Sequence, residues 1–74
     1  MEVVALRGKK LNEEILSILE EGEFSTPEIQ EMLAAKGIEV SGGALRQRLK
    51  QMVLEGKVKA RRVGKRLLMW RIAN

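Results

Sequence analysis

The basic side chains of this 74-residue sequence are concentrated in its second half, and they indicate the chemistry the chain could perform. Residues 1–40 carry four Lys or Arg against nine Glu, whereas residues 41–74 carry ten against Glu55 alone. The two halves have formal charges of −5 and +9, which give the net charge of +4. A folded domain with this asymmetry should present a positive face, and a positive face suggests a polyanionic partner. The alternative, that these residues only solubilise the surface, does not readily account for so one-sided a distribution.

A helix is predicted over residues 42–55, and it would carry several of these cations. One buried stripe is expected to consist of Leu45, Leu49, Met52 and Val53. Leu54 falls outside the stripe and is expected to pack below it. Counted at about 100° per residue, the opposite side is free of acid and consists of Gly43, Gln47, Lys50 and Gln51, flanked by Arg46 and Arg48.

After Gly56 the apolar spacing changes from helical to alternating, which predicts a β-hairpin over residues 57–72 with its turn at residues 63–66. The side chains expected to face inward are Val58, Ala60, Leu68, Trp70 and Ile72. The basic side chains should lie outside or at the tip, and they are Lys59, Arg61, Arg62, Lys65 and Arg66.

Two shorter helices precede these elements, over residues 11–21 and 27–36. Gly22 and Gly37 would end them, and Ser25 or Thr26 would cap the second. With Ser41 as the cap of the third helix, the turn between the second and third is about four residues long. Residues 1–10 are expected to form an N-terminal arm ahead of one domain, residues 11–74.

Composition argues against several function classes. Without Cys or His, the chain has neither a disulfide framework nor the usual metal ligands and general base, so we expect no metal, no cofactor and no enzymatic activity. Gly42 and Gly43 lack the preceding strand and the Lys-Ser or Lys-Thr pair of a phosphate loop. No apolar run reaches the ~18 residues of a membrane span, and no small-molecule ligand is evident, so a cytoplasmic protein is expected.

The segment FSTPEIQEMLAAKGIEVSGGALRQRLKQMVLEGKV, followed by the basic hairpin, resembles winged helix-turn-helix DNA-binding domains. The resemblance covers residues 11–74. It implies an α+β fold, mainly α, in which a three-helix bundle with a helix-turn-helix carries a C-terminal β-hairpin wing. It also implies a small transcriptional regulator of prokaryotic or archaeal type, bound to double-stranded DNA and associated with the nucleoid.

Carried over by position, the residues facing the major groove would be Ser41, Gly43, Arg46, Gln47, Lys50 and Gln51. The wing residues on the flanking backbone would be Lys59, Arg61, Arg62, Lys65 and Arg66. The chemistry of these side chains agrees, because Arg can donate two bonds to guanine, Gln can pair with adenine, and Lys suits phosphate.

Three alternatives stay open at this stage. The acidic first and second helices could dock a protein partner, or the basic face could coat nucleic acid without sequence preference or bind RNA. A homodimer is expected through the apolar N-terminal arm, because paired half-sites add specificity. The abundance of Glu, Lys and Arg also hints at a thermophilic source.

Overall fold

A computed structural model describes residues 9–73 and confirms the predicted α+β, mainly helical, architecture. Its elements in chain order are α1 (Lys9–Leu19), β1 (Phe24–Ser25), α2 (Thr26–Ala35), α3 (Gly42–Leu54), β2 (Val58–Val63) and β3 (Leu67–Ile72). Residues 1–8 of the proposed arm lie outside the described residues, and so does the predicted dimer contact; residues 9 and 10 belong to α1.

Helix α1 begins two residues earlier than predicted and ends two residues sooner, at Leu19. The prediction started from the first apolar residue, but Lys is a good helix former and can extend a helix beyond its buried stripe. At the other end, the N–H groups of Glu21 and Gly22 donate to the carbonyls three residues back, at 3.1 and 3.3 Å. These bonds tighten the chain into a turn, which ends the α-helix.

Helix α2 is stabilised at both ends by local hydrogen bonds. Ser25 Oγ accepts from the backbone N–H of Glu28 at 3.4 Å, and the Glu28 carboxylate accepts from the backbone N–H of Ser25 at 2.9 Å. This reciprocal capping box fixes the start of the helix. At the end, Gly37 adopts a φ of 82°, and the N–H groups of Gly37 and Ile38 each donate to a carbonyl of the last turn at 2.9 Å. The bonds turn Ile38 into the core.

Helix α3 buries Leu45, Leu49 and Met52 as predicted, but the predictions for its last turn are wrong. Val53 is 37% exposed and Leu54 is 81% exposed. Gly56, with a φ of 77°, turns the chain away into β2 immediately after this last turn. Leu54 lies about 180° around the helix from the buried stripe, on the side where no other element packs.

The three strands form one antiparallel sheet in the order β1-β3-β2. Phe24 pairs with Trp70 across the first ladder, and Ala60 pairs with Trp70 across the second. The sequence predicts no strand between the first two helices, so β1 was not expected. The hairpin prediction is confirmed, although only Val58 and Trp70 of its five predicted inward residues are buried; Leu68 and Ile72 are half-buried and Ala60 is exposed. β2 is an edge strand, and its residues after Val58 are exposed to solvent.

Trp70 joins the sheet to the helices. It is 1% exposed and belongs to the same apolar cluster as Ile15, Ile29 and Leu49. Its indole Nε1 donates a buried hydrogen bond of 2.9 Å to Thr26 Oγ1, in the first turn of α2. The central strand is thereby fixed to the start of α2 by one bond that also satisfies the buried indole N–H.

Thr26→Val should destabilise the fold with little change in shape, because the indole N–H would remain buried without an acceptor. We expect the free energy of unfolding to fall by about 1–3 kcal/mol, measured by urea denaturation followed through Trp70 fluorescence. Thr26→Ser keeps the hydroxyl and serves as the control. A Thr26→Val variant as stable as the wild type would show that the bond contributes nothing.

Acid should weaken the start of α2. Hydrogen bonds from the backbone and side chain of Ser25 hold the pKa of Glu28 below its ordinary 4.5. The stabilisation is therefore complete above about pH 4.5 and is lost as the pH falls through the lowered folded-state pKa. Between neutral pH and pH ~3, the Glu28→Gln variant, which keeps an acceptor but cannot titrate, should lose less stability than the wild type. Equal losses in parallel urea titrations would exclude this contribution.

Candidate nucleic-acid interface

The connection between α2 and α3 fixes the direction in which α3 leaves the bundle. Gln30 of α2 donates from Nε2 to the carbonyl of Val40 at 3.0 Å, across the turn. Ser41 then caps α3, because its Oγ accepts from the N–H of Ala44 at 3.1 Å. Ser41 therefore has a local structural role in addition to its exposed position at the helix N-terminus.

The backbone of the first turn of α3 is not covered by side chains of its own two glycines, Gly42 and Gly43. A Cβ added to Gly43 would meet no heavy atom of another part of the protein within 4 Å, and one added to Gly42 would lie 3.5 Å from Gln30 Oε1. Neither glycine has the positive φ that would demand this residue type. Internal packing therefore does not require Gly43, and its missing side chain leaves the backbone accessible to an external surface.

A groove of about 450 Å³ runs between α3 and the wing, the name used here for β2, the turn at residues 64–66, and β3. Its polar lining brings together cations from both elements, namely Arg46, Lys50, Arg62, Lys65 and Arg66. The first turn of α2 and two leucines of β3 supply the remaining lining, namely Thr26, Pro27, Leu67 and Leu68. No acidic side chain is among these described lining residues, so the groove concentrates positive potential where an anion can enter.

The other predicted residues of α3 lie beside this groove rather than in it. Gln47 and Gln51 line a shallow depression with Arg48 and Glu55. Gln51 Nε2 donates to the Glu55 carboxylate at 3.5 Å, and Lys57 Nζ lies 3.4 Å from the same carboxylate. The prediction of an acid-free face thus fails at the C-terminal end of α3, where Glu55 borders it.

The strand register divides the predicted wing residues between two faces of the hairpin. Arg62 pairs with Leu68, two residues from Trp70, and so lies on the face that carries the core. Arg61 pairs with Met69 and Lys59 pairs with Arg71, which places both on the opposite face. Since side chains alternate along a strand, Arg62 joins the groove while Lys59 and Arg61 point away from it.

Arg61 is held in a bidentate ion pair that sequence analysis did not anticipate. Its Nε lies 3.1 Å from Glu23 Oε2 and its Nη2 lies 2.6 Å from Glu23 Oε1. The hydrogen bond to Arg61 lowers the pKa of Glu23, with smaller electrostatic contributions from Arg61 and Arg71, and burial opposes the shift. The same contact raises the pKa of Arg61. The partners are 38 residues apart, and no local pattern links them.

The turn of the wing is shaped by a glycine and by a hydrogen bond from the Arg62 side chain. Gly64 adopts a φ of 73°, a left-handed conformation that glycine accommodates without strain. Arg62 donates from Nη1 to the carbonyl of Lys65 at 3.4 Å. These features direct Lys65 and Arg66 toward the groove that Arg62 lines.

Among residues 10–73, no three carboxylates come close enough together to hold a metal ion. None of the helices formed by the described residues has the length and apolar character needed to cross a membrane.

Comparison with solved structures finds RosR of H. salinarum. The complex hsRosR-S4 matches with a TM-score of 0.81 and 26% sequence identity, covering 90% of this chain and 59% of that chain. The complex hsRosR-S1 matches with a TM-score of 0.81 and 26% sequence identity, covering 90% of this chain and 61% of that chain. The structure of RosR grown from NaBr matches with a TM-score of 0.78 and 26% sequence identity, covering 88% of this chain and 60% of that chain.

The chain thus spans only 59–61% of the length of these RosR chains. No protein-family model matches the sequence, and the curated proteins contain no match to it either. The structural matches, taken with the order of helices and strands, show that the chain adopts a winged-helix fold.

Proposed function

We propose that this protein binds double-stranded DNA as a transcriptional regulator, with α3 in the major groove and the wing on the flanking backbone. The observation that carries the proposal is the groove between α3 and the wing, in which two α3 cations and three wing cations converge without an acidic neighbour among the described lining residues. Phosphates recur along each strand of a duplex. Cations from α3 and the wing can therefore bind neighbouring phosphates beside the groove that the recognition helix enters.

The two sides of α3 suit different parts of a duplex. Lys50, beside the wing, is suited to a phosphate, and Arg46 can reach either a phosphate or the two acceptors of guanine. Gln47 and Gln51, on the neighbouring side, can each pair with an adenine edge. Ser41 and Gly43 are exposed at the helix start, where the backbone can approach the DNA closely. Leu54 continues the exposed side of Gln47 and could contact a thymine methyl group.

The likeness to RosR supports the same proposal. RosR is a transcription regulator with a winged-helix-like fold, and 90% of this chain superposes on it. The likeness covers about 60% of RosR, so it supports DNA binding by this domain rather than the whole activity of RosR.

Binding to a random-sequence duplex should weaken steeply with salt. Five groove cations, each on one phosphate, would give a slope of log K against log salt of about −4.5. Fluorescence anisotropy of a labelled duplex at several salt concentrations measures this slope, with single-stranded RNA of matched length as the control. Absence of duplex binding at low salt would overturn the proposal and favour a protein partner for the acidic helices.

Gln47→Ala and Lys65→Ala should have different effects. Loss of a base contact at Gln47 should cost about 1–3 kcal/mol on a selected site and little on random sequence. Loss of a phosphate contact at Lys65 should weaken binding to both duplexes equally and reduce the salt slope by about 1. If Gln47→Ala weakens both duplexes equally, α3 does not read the sequence.

Gly43→Ala should separate stability from binding. The added methyl group meets open space, and the substitution replaces a poor helix former with a good one. The free energy of unfolding should therefore rise by up to ~1 kcal/mol. Duplex affinity should nevertheless fall, because the methyl group would separate the α3 backbone from the DNA. Urea denaturation and anisotropy on the same variant test both parts, and unchanged affinity would show that the DNA does not approach Gly43.

A further inference from the structure

We infer that the Glu23–Arg61 ion pair holds the wing in its position beside α3, and that Arg61 supports duplex binding through this contact rather than by touching the DNA. The inference rests on the proposed function. It makes Glu23, an acidic residue, a positioning residue for a basic interface.

The wing needs such a contact because little else covers its edge strand. Of the six residues of β2, only the first, Val58, is buried. The following residues pair through their backbones with β3 and are exposed to solvent on their side-chain surfaces. Beyond Val58, the orientation of β2 relative to the helices is therefore set by β3 and by whatever contacts its side chains make.

The Glu23–Arg61 pair supplies such a contact across the full width of the sheet. Glu23 immediately precedes β1, which forms one edge, and Arg61 lies in β2, which forms the other, with β3 between them. Two hydrogen bonds join both carboxylate oxygens to the guanidinium group. A bidentate geometry fixes orientation as well as distance, so the pair resists rotation of β2 about β3.

Arg61 is poorly placed to contact the duplex that the groove would bind. It lies on the opposite face of the hairpin from Arg62, and Glu23 already occupies two of its donor groups. To reach a phosphate it would have to leave the carboxylate and pass around the edge strand. Its charge is also offset locally by Glu23, whereas Arg62 lies in a groove with no acidic neighbour among the described lining residues.

A charge swap distinguishes positioning from direct contact. Arg61→Glu should lower duplex affinity about tenfold or more, because it breaks the pair and places two carboxylates together. The double variant Glu23→Arg/Arg61→Glu rebuilds the pair in reverse without changing net charge. If Arg61 acts by positioning, the duplex affinity of the double variant should recover to within about threefold of the wild type. Full recovery is not expected, because an Arg at position 23 would be repelled by the nearby Arg71. If Arg61 touches phosphate, the double variant should stay as weak as Arg61→Glu, which would overturn the inference.

The matched control combines Glu23→Arg with Arg62→Glu. Arg62 lies in the groove and has no contact with Glu23 among the described hydrogen bonds and ion pairs. The double variant should therefore bind the duplex no more tightly than Arg62→Glu alone. Should it recover as well as the Arg61 swap, recovery would reflect overall charge and the inference would fail. If the wild type itself binds no duplex, the proposed function fails instead, and the two failures are thus distinguishable.

Hydrogen exchange tests the positioning itself without DNA. In the free protein, amide exchange across β2 should be faster in Arg61→Gln than in the wild type, and the charge swap should restore slow exchange. Unchanged exchange in Arg61→Gln would show that the pair does not restrain the wing, and would overturn the inference whatever the binding data.

Discussion

Burial of the Trp70 side chain is the constraint on which the arrangement of this domain depends. Trp70 occupies the middle of the central strand, with Phe24 on one side and Ala60 on the other. Its bond to Thr26 ties that strand to the start of α2, where Thr26 and Pro27 also line the groove. In a chain of 74 residues the core is small, so one large buried side chain can set how the sheet meets the helices. Packing around Trp70 therefore places β3, the inner strand of the wing, against the helices.

Charge placement follows from the same geometry. The register that directs Trp70 inward also directs Arg62 into the groove and directs Arg61 to the opposite face. One alternation thus gives the hairpin a basic face beside α3 and a second face where Glu23 offsets part of the positive charge. A single-residue shift in register would exchange the two faces and expose Trp70, so burial of the indole also fixes which cations can reach a common ligand.

Local signals in the sequence predicted most of the fold. Ser25, Gly37 and Ser41 mark helix ends by hydrogen bonds within a few residues, and the structure confirms each of them. Features that depend on distant residues escaped prediction. The two-residue strand β1 exists because β3 lies beside it, and the partner of Arg61 is 38 residues away. Periodicity placed Leu54 outside the buried stripe, but the expectation that it packs below the stripe is wrong, because the chain turns away at Gly56 and leaves Leu54 exposed. The predicted site residues are exposed, as expected for a binding surface, whereas their division between faces required the fold.

An NMR titration with a duplex tests directly whether α3 and the wing form the DNA-binding surface. In a titration of the ¹⁵N-labelled protein with a short duplex, we expect chemical-shift changes in the amides of Arg46, Gln47 and Lys50 and of the turn at residues 64–66. The amides of α1 should stay unchanged. Shifts confined to α1 and the acidic part of α2, with α3 and the wing unaffected, would exclude α3 and the wing as the binding surface and identify the acidic helices in their place.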